Sequence, residues 1–313
     1  MTNNRKSTPP AILSPLRFCL LLAVVYTTLL FVLPANKIAM QAYHLAPTQY
    51  HILLFVVVLP LILIWFAAFY SYAKLDQYAQ LISKTPEGGD FVELARGVRW
   101  LAWGLAIPSL LSIILNSIAN SRPGFLSTAL ITTNYFSLLI PLIGFSIIRK
   151  GAQGLTEHAK LRLNSGSAQT IMIVFVVLGV AFCFFIFRQL NLHSFSSSNN
   201  PYFLPVWLLI STIIVPYLYA WFSGLLAAHD LALYSKHVSG VFYRQAMRLL
   251  AGGTVAVIAS SVAIQCLRSV IPRSGHLSLS ATLVIINIIY VIMAAGFIML
   301  SIGANKLKKI EEI

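Results

Sequence analysis

The sequence predicts an all-α, polytopic integral membrane protein, with eight transmembrane helices arranged as two parallel four-helix repeats. Three observations carry that expectation. Hydrophobic residues make up 58% of the chain and charged residues only 10%, whereas soluble domains carry about 25% charged residues. Lipid must therefore serve as most of the solvent. Apolar runs long enough to cross a bilayer, ~20 residues each, recur with short polar breaks between them. The skeleton of Pro60, four residues, then Trp65-Phe66 returns once in the second half as Pro216, four residues, then Trp221-Phe222.

Residues 1–15 are polar and read as a cytoplasmic tail, and the first repeat occupies 16–163. Its first apolar run, 16–33, competes with a signal-peptide reading but is long for one and has a counterpart in the second half. The run at 50–72 is the second crossing, broken by Pro60. A water-facing segment follows, in which 85–89 forms a turn and Asp90 with Glu93 resembles a capping pair opening the next helix. Residues 99–119 and 125–148 form crossings three and four. The Asn-Ser-Gly-Ser stretch at 164–168 is a linker between halves. The second repeat, 169–305, holds crossings five to eight at 169–187, 202–228, 247–267 and 277–302, and a charged tail, 306–313, follows.

Three further correspondences extend the repeat. Gly144-Phe145, five residues, then Gly151-Ala152 matches Gly296-Phe297, five residues, then Gly303-Ala304. Arg99, Gly104, Ser112 and Asn116 match Arg248, Gly253, Ser261 and Gln265 at one offset. Tyr78 matches Tyr234 at the offset of the proline and tryptophan pairs. The shorter offset in crossings three and seven places an insertion near 85–89 of the first copy. Four helices per copy return the chain to its starting side, so the repeats run parallel about an axis near the membrane normal.

Charge sets the expected orientation. With the N-terminus inside, only Lys37, Arg122, Arg188, Arg268 and Arg273 of the 22 basic residues fall outside. This asymmetry predicts a plasma-membrane protein with both termini cytoplasmic. The net charge of +14 is split among short loops rather than gathered on one face, which argues against nucleic-acid binding. The basic loops, Arg149-Lys150 with Lys160 and Arg162 above all, suit anionic lipid headgroups. A homo-oligomer or a membrane-protein partner is the other association expected.

The same chemistry narrows function. No Asp, Glu, Lys or Arg lies deep in any crossing, which argues against proton relays, voltage sensing and carboxylate-based intramembrane catalysis. Phosphate-binding, zinc-protease and nucleophile-elbow motifs are missing from the sequence, so no enzyme activity and no cofactor are expected. His44, His51, His193 and His276 share neither close spacing nor acidic neighbours, so no metal site is expected. His229 and Asp230 are adjacent, and neighbours along a helix do not face each other.

Polar and helix-breaking residues gather instead at mid-depth. Pro60, Asn134, Pro216 and Asn287 stand about 14–20 Å below the outer edge, near the centre of a ~30 Å core. Paired breaks in two halves point to a transporter site, and two amides can hydrogen-bond a polar solute. The expected substrate-binding set is therefore Asn134, Asn287, Pro60 and Pro216. The competing account gives the asparagines to helix packing. Trp65 and Trp221 are expected as interfacial anchors. Gly144, Gly296, Gly252, Ala256 and Ser260 are expected at close helix contacts. Two functions follow: a permease-like carrier of a neutral or amphiphilic solute, with its site between the repeats, or an accessory subunit with no solute path. An intramembrane enzyme ranks below both.

Overall fold

The computed structural model describes residues 13–32, 47–121, 126–159, 161, 173, 215–274 and 279–311. Within them the regular elements are α1 (Leu13–Val32), α2 (Pro47–Leu81), α3 (Gly88–Ser121), α4 (Leu126–His158), α5 (Val215–His237), α6 (Val241–Ser274) and α7 (Leu279–Glu311). Four of these helices, α2, α3, α6 and α7, contain stretches long and apolar enough to cross a membrane. Crossing five and the first part of crossing six lie outside the described residues.

The helices outrun the apolar runs that predict them. At 1.5 Å per residue, α2 with its 35 residues is about 50 Å long, well beyond a ~30 Å hydrocarbon core. Beyond Tyr72 the α2 sequence becomes polar but stays helical. Leu75, Tyr78 and Ala79 remain buried, while Gln80 Nε2 donates to Asp76 Oδ2 one turn back at 2.7 Å. The start of the segment expected to face water is thus, as far as Leu81, an amphipathic continuation of the helix.

The chain reverses between α2 and α3 through residues 82–87. The Thr85 amide and hydroxyl both donate to the Ile82 carbonyl, at 2.9 and 2.8 Å. Gly88 opens α3, and a Cβ there would collide with the Ile82 carbonyl oxygen. Asp90 and Glu93 do not form the expected capping pair, because α3 begins at Gly88 and Asp90 already lies in its first turn. Negative charge there still suits the helix dipole. The carboxylates reach sideways instead: Asp90 meets His158 Nε2 at 3.3 Å, and Glu93 meets Arg96 at 3.1 Å and Lys150 at 3.2 Å. Two of those partners, His158 and Lys150, stand on α4. The matching reversal between α5 and α6 uses Gly240 at φ 104°, a left-handed conformation that costs glycine nothing.

Six helices close into a ring. Each of α2 to α7 packs on its chain neighbour, α7 packs back on α2, and α1 lies against α2 and α3. Small residues let the backbones approach, as helix association in lipid requires. A Cβ built on Gly97 would lie 2.8 Å from the Gly144 carbonyl oxygen, and one on Gly253 would lie 2.6 Å from the Gly296 carbonyl oxygen. Gly151 faces the Asp90 carbonyl oxygen at 2.6 Å, and Gly303 faces that of Ala246 at 2.9 Å. Gly296 also abuts Ala256, Gly252 faces Met299, and Ser260 is buried with its hydroxyl on the Ala256 carbonyl at 2.8 Å. The α7–α2 seam is tied by the buried Ser71 hydroxyl, which donates to the Phe297 carbonyl. Across the ring, α5 seats Gly224 against Phe145 of α4 and Ile258 of α6.

The two indoles are not presented at a lipid surface. Trp65 is 0% and Trp221 5% exposed. Trp65 meets Tyr26 of α1 edge-on, ring centroids 5.1 Å apart, and Trp221 packs at a tilt on Tyr217 at 5.6 Å. Interfacial anchoring does not describe this placement. The physical reason is helix length: both helices run on past their tryptophans, so these positions lie inside the bundle and not at its rim.

Candidate functional site

Inside the ring, five helices enclose a chamber of about 80 Å³. Leu61 of α2 and Met293 of α7 supply part of its apolar wall. Gly104, Leu105, Pro108 and Ser109 of α3 face Ser261, Ile264 and Gln265 of α6. Ser137 and Pro141 of α4 and Tyr290 of α7 complete it. The lining is uncharged and more apolar than polar: three serines, one amide and one phenol stand among aliphatic groups. Pro108 and Pro141 lie within helices, and proline removes a backbone hydrogen bond there, so carbonyls near the chamber are released from the helix ladder. Such a space holds a few waters or one small solute.

About 25 Å along α2 from Leu61, by helix rise, a second polar group crosses the ring. Tyr78 of α2 and Tyr243 of α6 bring their hydroxyls to 3.4 Å. The Tyr234 hydroxyl of α5 donates to Glu87 Oε1 at 3.2 Å. Tyr78 is buried at 1% exposure and Tyr234 at 5%, and Tyr78 also packs edge-on against Phe91 at 4.8 Å. Burial pushes the Tyr234 hydroxyl well above the ordinary tyrosine range, so it stays protonated and serves Glu87 as a donor. Four side chains from three helices and a turn thus stopper this end of the ring.

The expected site residues divide. Pro60 and Pro216 are half-buried on α2 and α5 and do not line the chamber. Asn287 is half-buried, and its Nδ2 donates to the Leu283 carbonyl of its own helix at 2.9 Å. It faces an apolar groove between α2 and α7, with Val56, Ile288 and Val291. The Asn134 side chain lies outside the described residues. Gln265 stands in the chamber wall, as do Ser109, Ser137, Pro108 and Pro141. Mid-run proline was the available signal for the last two.

The charged end holds a further pair. His229 Nδ1 lies 3.5 Å from Asp230 Oδ1, so rotamer choice brings adjacent side chains together despite their divergent positions on the helix. Burial raises the Asp230 carboxyl, with His229 and Arg149 opposing that shift. A carboxyl raised above its unfolded value of 3.8 makes the folded state bind more protons than the unfolded one. Stability then increases as pH falls from neutral through the folded value toward 3.8, and is lost again as pH rises. Thermal unfolding measured from pH 7 to pH 5 is expected to show a smaller acid-side gain for Asp230→Asn than for the parent; equal slopes would count against the buried carboxyl. Among the described residues no three His, Cys, Asp or Glu side chains gather as metal ligands.

Long apolar helices, closed into a ring around a hydrophobic core, define the class: an all-helical protein with the composition and helix lengths of a membrane protein. Comparison takes the matter no further, because no protein family, curated protein or solved structure matches this chain.

Proposed function

We propose that the chain is an eight-crossing plasma-membrane protein, both termini cytoplasmic, whose two parallel repeats form a permease-like carrier for a small neutral polar solute. The observation that carries the reading is the chamber, free of charge, with uncharged polar groups among aliphatic ones contributed by both halves. A charged ligand would meet no counter-charge there, and burying one unpaired is costly. The buried tyrosine–glutamate group serves as the cytoplasmic closure of the same path.

Duplication is supported by matched packing. Gly97 on Gly144 has its counterpart in Gly253 on Gly296, and Leu94 by Gly151 in Leu250 by Gly303. The chamber repeats the pattern, with Leu105, Pro108 and Ser109 opposite Ser261, Ile264 and Gln265. Tyr78 with Tyr243 answers Tyr234 with Glu87. All these α3–α6 pairs share the offset that relates Pro60 to Pro216. They align α3 with α6 two helical turns away from the match of Gly104 to Gly253, and they need no insertion at 85–89.

Cysteine placed at Ser109 or Ser261, in a variant lacking the native cysteines, is expected to react with a water-soluble thiol reagent, while cysteine at lipid-facing Val255 stays silent. Silence at both chamber positions from either side of the membrane would remove the solute path. The accessory-subunit reading has one observation in its favour, the groove of about 400 Å³ beside Asn287. Purification in mild detergent separates the two, since a stoichiometric protein partner supports that reading.

A further inference from the structure

A second cavity lies outside the ring and serves a different chemistry. It opens between α1, α2 and α3, with a volume of about 370 Å³. Phe18, Phe69 and Trp103 form one wall, their rings 5.2 to 6.2 Å apart. Asp76 and Arg99 face the same space. The guanidinium of Arg99 sits 5.6 Å from the Tyr72 ring centroid and bonds to that side chain, which holds it in place; a guanidinium has five donors, so one such bond does not exhaust it. One Asp76 oxygen accepts from Gln80. Among the described residues these two opposite charges form no direct ion pair with each other, although each lies within the other's field. They stand where the apolar runs of α2 and α3 meet their polar extensions, at headgroup height for helices that cross a bilayer.

We infer that this cleft is a binding site for a zwitterionic phospholipid, with the phosphate on Arg99, the ammonium on Asp76, and an acyl chain along the aromatic wall. The charge pattern selects the class. A purely anionic ligand meets Asp76, and a purely cationic one meets Arg99. A molecule carrying both charges a few ångströms apart satisfies each. Guanidinium suits phosphate through paired donors, and a carboxylate such as Asp76 suits an ammonium. The aromatic wall gives an acyl chain a surface to pack on, which a soluble phosphate cannot use. The site rests on the membrane reading, but not on whether the axial chamber carries a solute.

Native mass spectrometry of the full chain in mild detergent tests this, with phosphatidylethanolamine, phosphatidylglycerol and inorganic phosphate titrated separately. The parent protein is expected to retain phosphatidylethanolamine over phosphatidylglycerol, and inorganic phosphate is expected not to displace it. A charge-assisted contact removed by Arg99→Gln should weaken phosphatidylethanolamine binding about tenfold, with Arg99→Lys recovering part of it. Asp76→Asn should abolish the preference between the two lipids, while Lys236→Gln on exposed surface changes neither. Equal retention of both lipids by the parent protein, or an unchanged preference in Asp76→Asn, overturns the proposal. Displacement by inorganic phosphate assigns the site to a free anion and also overturns it. The parent preference is read without any variant, so a misfolded mutant does not shelter the idea.

Discussion

Valine at Gly97 or at Gly253 is expected to cost about 3 kcal/mol or more of stability, the upper range for overpacking a closed interface. The glycines sit where two helix backbones nearly touch. A single added carbon would lie 2.8 Å from the Gly144 carbonyl oxygen in one case and 2.6 Å from the Gly296 carbonyl oxygen in the other. The obstacle in each is backbone, which cannot rotate out of the way as a side chain can. Separating the helices would also loosen Leu101 against Gly144 and Val257 against Gly296. Gly89 makes the control, because a Cβ there meets nothing within 4 Å. Gly89→Ala should leave the protein intact or raise its stability by up to about 1 kcal/mol, since alanine is the better helix former. Thermal unfolding of the purified proteins in one detergent checks both claims. A Gly253→Val protein as stable as the parent would contradict the close approach. Unequal losses in the two glycine variants would count against duplicated halves.

The same glycines show what a sequence discloses in lipid and what it does not. Gly144 and Gly296 were legible because small residues in apolar runs have one common use, close backbone contact. Apolar run length located α1, α2, α3, α4, α6 and α7, since only helices satisfy their own backbone groups in hydrocarbon. The true helix ends were not legible. Hydropathy reports where lipid stops, whereas α2 continues on the strength of Leu75, Tyr78 and Ala79, one buried face of a polar segment. That error propagated to Trp65, judged to lie at a helix end and found within the bundle.

Under the proposed duplication, register is illegible for a related reason. Packing along a helix repeats about every seven residues, so a slide of two turns keeps exposed positions exposed; Arg99 and Arg248 are both exposed under the match of Gly104 to Gly253. Only contacts between helices separate the two alignments. The chamber was hidden more deeply. Its polar groups arrive singly or in pairs from different helices, Ser109 and Ser137 from one half, Ser261, Gln265 and Tyr290 from the other. No spacing in one segment announces such a set. The asparagines attracted notice because amides in hydrocarbon are costly, yet Asn287 settles that cost on its own helix by bonding to Leu283.

In the proposed orientation, opening the tyrosine–glutamate group should expose the chamber from the cytoplasmic side. In a protein carrying cysteine at Ser109 and no other, Tyr78→Phe with Tyr234→Phe is expected to accelerate labelling by a membrane-impermeant thiol reagent applied to the cytoplasmic face. The double change removes the contact between Tyr78 and Tyr243 and the bond from Tyr234 to Glu87, but keeps both rings and their packing. Two hydrogen bonds at about 1 kcal/mol each shift an open–closed equilibrium roughly thirtyfold. Glu87→Gln, which weakens only one of the two contacts, should give a smaller increase. The pairs also cross between halves, one joining α2 to α6 and the other joining α5 to the turn before α3. Each pair therefore resists separation of the halves at this end, the motion that an alternating carrier needs. A labelling rate unmoved by the double variant would mean that the barrier lies in the apolar packing between stopper and chamber, and that the tyrosines only stabilise the ring.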